Sequence, residues 1–165
     1  MSRRVFSLLV DNTSGVLSRV SGLFSRRGYN IDSLTVGATA DPRYSRMTVV
    51  ANGDELILEQ IEKQLRKLID VVDIKTLAEG DSVYREIVLI KIKVSSEERQ
   101  SAIAIADIFR AKIVDVSTNS FIIELTGDQS KLDAFINLLS DYEILEVART
   151  GLTGLSRGTE DVKYL

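Results

Sequence analysis

Val5-Phe6-Ser7-Leu8-Leu9-Val10, then Asp11-Asn12-Thr13-Ser14-Gly15, then Val16, Leu17, Val20, Leu23 and Phe24 at helical spacing, decide how this chain is read. The first run alternates and branches like a strand, and the last group marks one face of an amphipathic helix. A short polar turn ending in glycine joins them. Such a turn delivers free backbone N–H groups at the positive end of a helix, a ready site for a small carboxylate or phosphate. It is equally the composition of an ordinary strand-to-helix connection capped by Asn12, Thr13 or Ser14.

Working outward, the pattern strand, helix, strand, strand, helix, strand occurs and then occurs again. In the first pass residues 4–10 read as a strand and 15–27 as a helix that Gly28 ends. Two strands over 29–38 and 45–51 flank a turn at Asp41-Pro42-Arg43, which holds the only proline. Asp54 caps a helix to about Leu68, with Ile57, Leu58, Ile61, Leu65 and Leu68 inward, and 70–77 closes the unit as a strand. In the second pass 83–94 is a long strand and 97–109 a helix burying Ala102, Ile105, Ala106 and Phe109. Strands at 111–117 and 120–126 flank Thr118-Asn119. A helix opened by Asp128 or Ser130 follows, and 143–149 is the last strand.

The fold class is therefore α+β: two tandem ferredoxin-like βαββαβ units, each an antiparallel sheet with two helices on one face. The expected domains are 1–78, 79–150 and a poorly ordered tail over 151–165, whose Gly151, Gly154 and Gly158 lack the Gly-Lys-Ser/Thr ending of a phosphate loop. Units this small leave apolar surface to cover, so a homodimer is expected.

Composition narrows the chemistry. The chain has 165 residues, 44% hydrophobic and 27% charged, which fits a globular protein. No run of twenty apolar residues is present, and the apolar stretch after Arg3-Arg4 is too short for a signal peptide. The absence of cysteine agrees with a cytoplasmic location. The absence of histidine removes His-based acid–base chemistry, the usual nucleophile triads and almost every zinc site. No paired carboxylates stand out in their place, so the inventory points to binding and not to catalysis. Net charge is −3. Residues 1–76 carry 11 Lys/Arg against 9 Asp/Glu, and 77–165 carry 10 against 15. Neither half has the basic stripe of a nucleic-acid binder.

The two units differ where it matters. Against Asn12 and Gly15, the second unit has Ser95-Ser96-Glu97-Glu98, whose acids suit a helix N-terminus but repel an incoming carboxylate. A small anion would bind the first unit. For a free amino acid, the N–H groups of Gly15, Val16 and Leu17 suit the carboxylate, and the Asn12 amide oxygen suits the ammonium. Asn30-Ile31, from the other subunit of a side-by-side dimer, would supply a second amide and an apolar wall. Selectivity would then rest on pocket size, worth roughly 1–3 kcal/mol per methylene.

Asp11 to Val20, Leu23 to Ile31, Ser33 to Val36, Ser45 to Thr48, residues 59–68, and Ala148 to Gly151 with Gly154 to Gly158 resemble the ACT-domain family of acetolactate (acetohydroxyacid) synthase small subunits. The resemblance spans essentially the whole chain. It implies a non-catalytic regulatory subunit that stimulates a large catalytic subunit in branched-chain amino-acid biosynthesis and confers feedback inhibition by valine. Thiamine diphosphate, Mg and FAD would belong to the catalytic partner. The family's effector contacts fall on Asn12, Gly15, Val16, Leu17, Asn30 and Ile31. The exposed turn carrying Asp41, Arg43, Tyr44 and Arg46 is the expected contact with the large subunit, though it also reads as a plain hairpin connection.

Other readings are weaker. A stand-alone ACT-type amino-acid sensor acting on a different enzyme shares the first unit. An RNA-binding βαββαβ domain needs stacking aromatics and a basic face that Val5–Leu8 and Met47–Val50 lack. An acylphosphatase-like enzyme needs an arginine in the 11–15 turn, where none stands.

Overall fold

The computed structural model describes residues 1–159. Two compact units emerge, residues 1–83 with the described residues from 152 to 159, and residues 84–151. The first contains β1 (Ser2–Asp11), α1 (Val16–Arg26), β2 (Ile31–Ala38), β3 (Tyr44–Gly53), α2 (Glu55–Arg66) and β4 (Val71–Thr76). Its sheet runs β2-β3-β1-β4, with β1 paired antiparallel to both β3 and β4 and β2 antiparallel to β3. The order follows from the plan: each helix crosses over to return the chain beside an earlier strand.

Phe6, Leu8 and Val10 of β1 pack with Val16, Val20, Leu23 and Phe24 of α1 and with Leu58, Ile61 and Leu65 of α2. The intervening Val5, Ser7 and Leu9 are buried too. A strand covered on both faces reads as a continuous apolar run, which is why β1 looks the way it does. Part of the second face is covered by chain from the far end of the sequence. Leu152 is 3% exposed; its N–H donates to Ser33 Oγ at 2.7 Å and its carbonyl accepts from Thr35 Oγ1 at 3.2 Å.

α1 ends in a left-handed Gly28 (φ 69°), with Gly28 N–H on Ser25 O and Tyr29 N–H on Phe24 O. That pair of bonds is the Schellman closure, and the glycine tolerates it without a Cβ penalty.

The second unit repeats the plan in its own sheet. It holds most of β5 (Ser82–Lys93), then α3 (Arg99–Ile108), β6 (Lys112–Val116), β7 (Ser120–Gly127), α4 (Gln129–Leu138) with a 3₁₀ turn over Leu139–Asp141, and β8 (Glu143–Arg149). Strand order is β6-β7-β5-β8. Val88, Ile90 and Ile92 alternate into a core with Ala102, Ala106, Phe121, Ile123, Leu132 and Phe135.

The stretch expected as a loose tail departs from that expectation. Thr153–Ser156 forms β9 and pairs with β5, whose first two residues belong to the same unit as β9. Lys75 Nζ donates to Ser156 Oγ at 3.1 Å, and Arg157 N–H to Asp81 O at 2.7 Å. The glycines give this segment no apolar period to read, and its partners lie far away in sequence. The part of the expected tail beyond Thr159 lies outside the described residues.

Candidate functional site

Among the described residues there are four α-helices, and three of them begin beside a carboxylate. Asp54 Oδ1 accepts from Ile57 N–H at 2.9 Å, and Asp128 Oδ1 from Lys131 N–H at 2.9 Å. Before α3, Glu98 Oε1 accepts from Ser95 N–H at 3.0 Å while Ser95 Oγ accepts from Glu98 N–H at 3.2 Å, a reciprocal cap. The Ser95 backbone N–H, then the Ser95 side chain, pull the Glu98 carboxyl below its ordinary range. The second unit's turn is thus already filled by an acid of its own.

α1 is built differently. Its N-cap is Gly15 in the left-handed region (φ 88°, ψ −12°), no side chain caps it, and no acid sits in its first turn. The expected cap from Asn12, Thr13 or Ser14 does not form. The left-handed backbone angle favours glycine here, and a Cβ on Gly15 would stand 2.8 Å from Arg19 Nη1, so the guanidinium would have to shift to admit one. The positive end of α1 therefore keeps its backbone donors and no countercharge from its own first turn.

Around this turn the chain is tied down on two sides. Asp11 N–H donates to Asp70 O at 2.9 Å, and Asn12 N–H to Arg43 O at 2.8 Å. Arg19 grips the Asp70 carboxylate with Nε at 2.5 Å and Nη2 at 3.1 Å. That hydrogen bonding holds the Asp70 carboxyl below its usual range and the Arg19 guanidinium above its own. Asn12 Nδ2 donates to Pro42 O at 2.9 Å. Val16 points into the core, while Leu17 is 46% exposed beside the turn.

Asn12, Gly15, Val16 and Leu17 thus lie together at one end of the sheet. Asn30 and Ile31 do not join them within one chain. Ile31 pairs with Ala51, and Ala51 with Arg4, seven residues along β1 from Asp11. At a rise of ~3.3 Å per residue that is roughly 23 Å. Asn30 instead donates to Asp32 Oδ1 at 2.9 Å, and Asn52 also binds the Asp32 carboxylate.

The four residues of the expected partner contact divide. Asp41 and Arg43 form the tip of the β2–β3 hairpin, joined by an ion pair at 2.6 Å, and the Arg43 guanidinium lies 5.3 Å from the centre of the Tyr44 ring. Tyr44 opens β3 opposite Asp11. Arg46 lies further down β3, half-buried, and donates to Ser7 Oγ at 2.8 Å. Burial draws its guanidinium below its ordinary range, opposed by the charge of Asp73.

Sequence reasoning passed over Arg19, Asp70 and the Pro42 carbonyl. Arg19 stands four residues after Gly15 on one helix face, a spacing that carried the signal. Asp70 and Pro42 carried none, because each reaches the turn only through the fold. Among the described residues no group of three or more His, Cys, Asp or Glu side chains is placed to hold a metal ion, and no helix is long and apolar enough to cross a membrane.

Two ferredoxin-like units in tandem, with an open glycine turn at the first helix of the first, define an ACT-type architecture. Residues 6–73 match the AHAS small subunit-like ACT domain family, and residues 85–158 the family described as the small subunit of acetolactate synthase. The acetolactate synthase isozyme 3 small subunit of Salmonella typhimurium is 53% identical over 157 residues, covering 94% of this chain and 96% of that one. The probable acetolactate synthase small subunit of Methanothermobacter thermautotrophicus is 49% identical, covering 94% and 93%. The crystal structure of the Thermotoga maritima small subunit superposes with a TM-score of 0.89 at 42% identity, over 96% of this chain and 99% of that one. The chain belongs to the acetolactate synthase small-subunit family.

Proposed function

We propose that this chain is the regulatory, non-catalytic subunit of acetolactate synthase: it stimulates a large catalytic subunit and confers feedback inhibition by valine bound at the 12–17 turn of a homodimer. The observation that carries the reading is the helix N-terminus at Gly15, left without a side-chain cap beside the Asn12 amide. A carboxylate on the N–H groups of Gly15, Val16 and Leu17 would supply the countercharge that the other three helices take from their own acids.

The distance of Asn30 and Ile31 from this turn supports a dimer. β2 is the sheet edge, and edges present unpaired backbone. Antiparallel pairing of two β2 edges sets Ile31 of one copy beside Ala38 of the other. Ala38 is level with Ser45 and Val10, at the end that carries Asn12. The ligand would thus bridge two copies, favouring one dimer arrangement and altering how the hairpin tip at Asp41 and Arg43 braces the catalytic subunit. Regulation of this kind needs a coupling of only about 1–3 kcal/mol. On this reading thiamine diphosphate, Mg and FAD are carried by the large subunit, and the assembly works in the cytoplasm.

Calorimetry tests the proposal directly. Valine, leucine, isoleucine and alanine are titrated into the purified protein, with Asn12→Ala as control, and then into the complex with the large subunit. Valine binding at one site per chain or fewer, weakened by Asn12→Ala and accompanied by loss of synthase stimulation, is the expected result. Amino-acid binding by a chain that retains no thiamine-dependent partner in a pull-down would instead favour a stand-alone sensor.

A further inference from the structure

The Asp41-Pro42-Arg43 turn is closed more firmly than an exposed hairpin connection requires. Thr39 Oγ1 donates to Asp41 O at 2.8 Å, and Tyr44 N–H to the same carbonyl at 3.0 Å. The Asp41 carboxylate takes Arg43 N–H at 3.0 Å and the Arg43 guanidinium at 2.6 and 3.0 Å. Held this way, the tip offers two successive carbonyls to residue 12. Arg43 O takes the Asn12 backbone N–H, and Pro42 O takes the Asn12 side-chain Nδ2.

The second contact fixes which end of the amide faces which way. A carbonyl only accepts, so the NH₂ end must point at Pro42 and Oδ1 must point elsewhere. Among the described residues no hydrogen bond to Asn12 Oδ1 is made. An amide free to turn over presents its NH₂ end part of the time, and that end repels an ammonium group. An amide anchored on Pro42 presents only an acceptor.

We infer that the Asp41-Pro42-Arg43 turn is a positioning element of the amino-acid site, setting the Asn12 amide through the Pro42 carbonyl so that Oδ1 receives the ligand's ammonium group. The inference rests on the proposed amino-acid site at the 12–17 turn. An ammonium on Oδ1 polarises the amide and strengthens its Nδ2–H bond to Pro42, so ligand and turn reinforce each other. By reciprocity, loosening the turn weakens ammonium recognition, and a bound amino acid stiffens the turn.

A double-mutant cycle on L-valine affinity, read by calorimetry on the full chain, tests this. Asp41→Ala is expected to raise the Kd about tenfold when Asn12 is present, the usual worth of one hydrogen bond to a charged group. In the Asn12→Ala background the same substitution should change the Kd by less than about twofold. A turn that only shapes the surface gives equal effects in both backgrounds, and that result overturns the inference while leaving the site intact. Absence of valine binding by the unmodified protein overturns both.

Hydrogen exchange on the unmodified chain supplies a second readout, independent of whether Asp41→Ala folds. Saturating valine should slow exchange at the Asn12 and Tyr44 amides together with the first amides of α1. Slowing confined to α1 places valine at the turn and sinks the positioning role alone.

Discussion

Arg19 lies across the start of its own helix: it grips both oxygens of Asp70, at 2.5 and 3.1 Å, while its Nη1 occupies the space a side chain on Gly15 would need. The ion pair and the glycine are therefore parts of one arrangement. Asp70 anchors the guanidinium, the guanidinium lies where a Gly15 side chain would stand, and Gly15 supplies the left-handed angle that opens the helix.

Gly15→Ala should be damaging on both counts. A left-handed angle costs a non-glycine residue about 1–2 kcal/mol, and the added methyl displaces a guanidinium that Asp70 holds in place. Urea denaturation should show a loss of that order, and valine titration should show binding lost. A variant of unchanged stability that still binds valine would remove the turn from the proposed site.

The helix starts are expected to respond unequally to alanine. Asp54→Ala and Asp128→Ala each remove a carboxylate cap, which costs about 1 kcal/mol in denaturation. Thr13→Ala and Ser14→Ala should cost less than about 0.5 kcal/mol, because neither residue caps α1. A full capping penalty at residue 13 or 14 would show that α1 is closed by its own side chains in solution.

These cases mark where the sequence is legible. Asp54 is read correctly as a cap, and Asp128 is one of the two residues offered for α4, because each acts on an amide three residues away. β1 is read correctly because its branched and apolar residues run from Val5 to Val10 with only Ser7 between them, as burial on both faces allows. Asn12 resembles a cap of the same kind, yet its amide is taken by Pro42, thirty residues on, and nothing local records that. Arg110 is opaque for another reason. It closes α3 at φ 56°, with its N–H on Asp107 O and Ala111 N–H on Ala106 O, where glycine is the residue a reader looks for. β9 is invisible because its partners, β5 and the Lys75 side chain, lie far back in the sequence, as do Ser33 and Thr35, which hold Leu152 just before it. Of the candidate site, the Asn12–Leu17 turn is legible, while the clamps on it are products of the fold.

Arg110→Gly should stabilise the protein. The exposed arginine pays the left-handed penalty, and glycine relieves it at the cost of a more flexible unfolded chain. A net gain of about 0.5–1 kcal/mol in urea denaturation is expected. A loss would mean that the arginine side chain contributes more than its backbone angle costs.

Leu152→Ala tests the return of the chain onto the first unit. Its side chain is buried and its backbone is bonded to Ser33 and Thr35. Truncating a buried leucine costs roughly 2–5 kcal/mol, against less than about 0.5 kcal/mol for a residue in a loose tail. Thermal denaturation of Leu152→Ala beside Leu155→Ala, whose side chain is 59% exposed, separates the two. Equal melting temperatures would detach this segment from the first unit.

Asp41 should titrate far below an ordinary aspartate. The Arg43 side chain, then the Arg43 backbone N–H, hold its carboxyl down to about 2. A depressed folded value means the carboxylate's contribution is complete above the unfolded value of about 3.9 and is lost as pH falls through the folded one. The hairpin tip should therefore stay closed from neutral pH to about 4 and open between about 4 and 2. Carboxyl-carbon NMR would read the midpoint, and the exchange rate of the Arg43 amide would report the opening. In Arg43→Ala the midpoint should move up toward the ordinary value, since the larger of the two restraints is gone. A midpoint near 4 in the unmodified protein would show that Asp41 and Arg43 are unpaired in solution, leaving Pro42 without the clamp that sets it against Asn12.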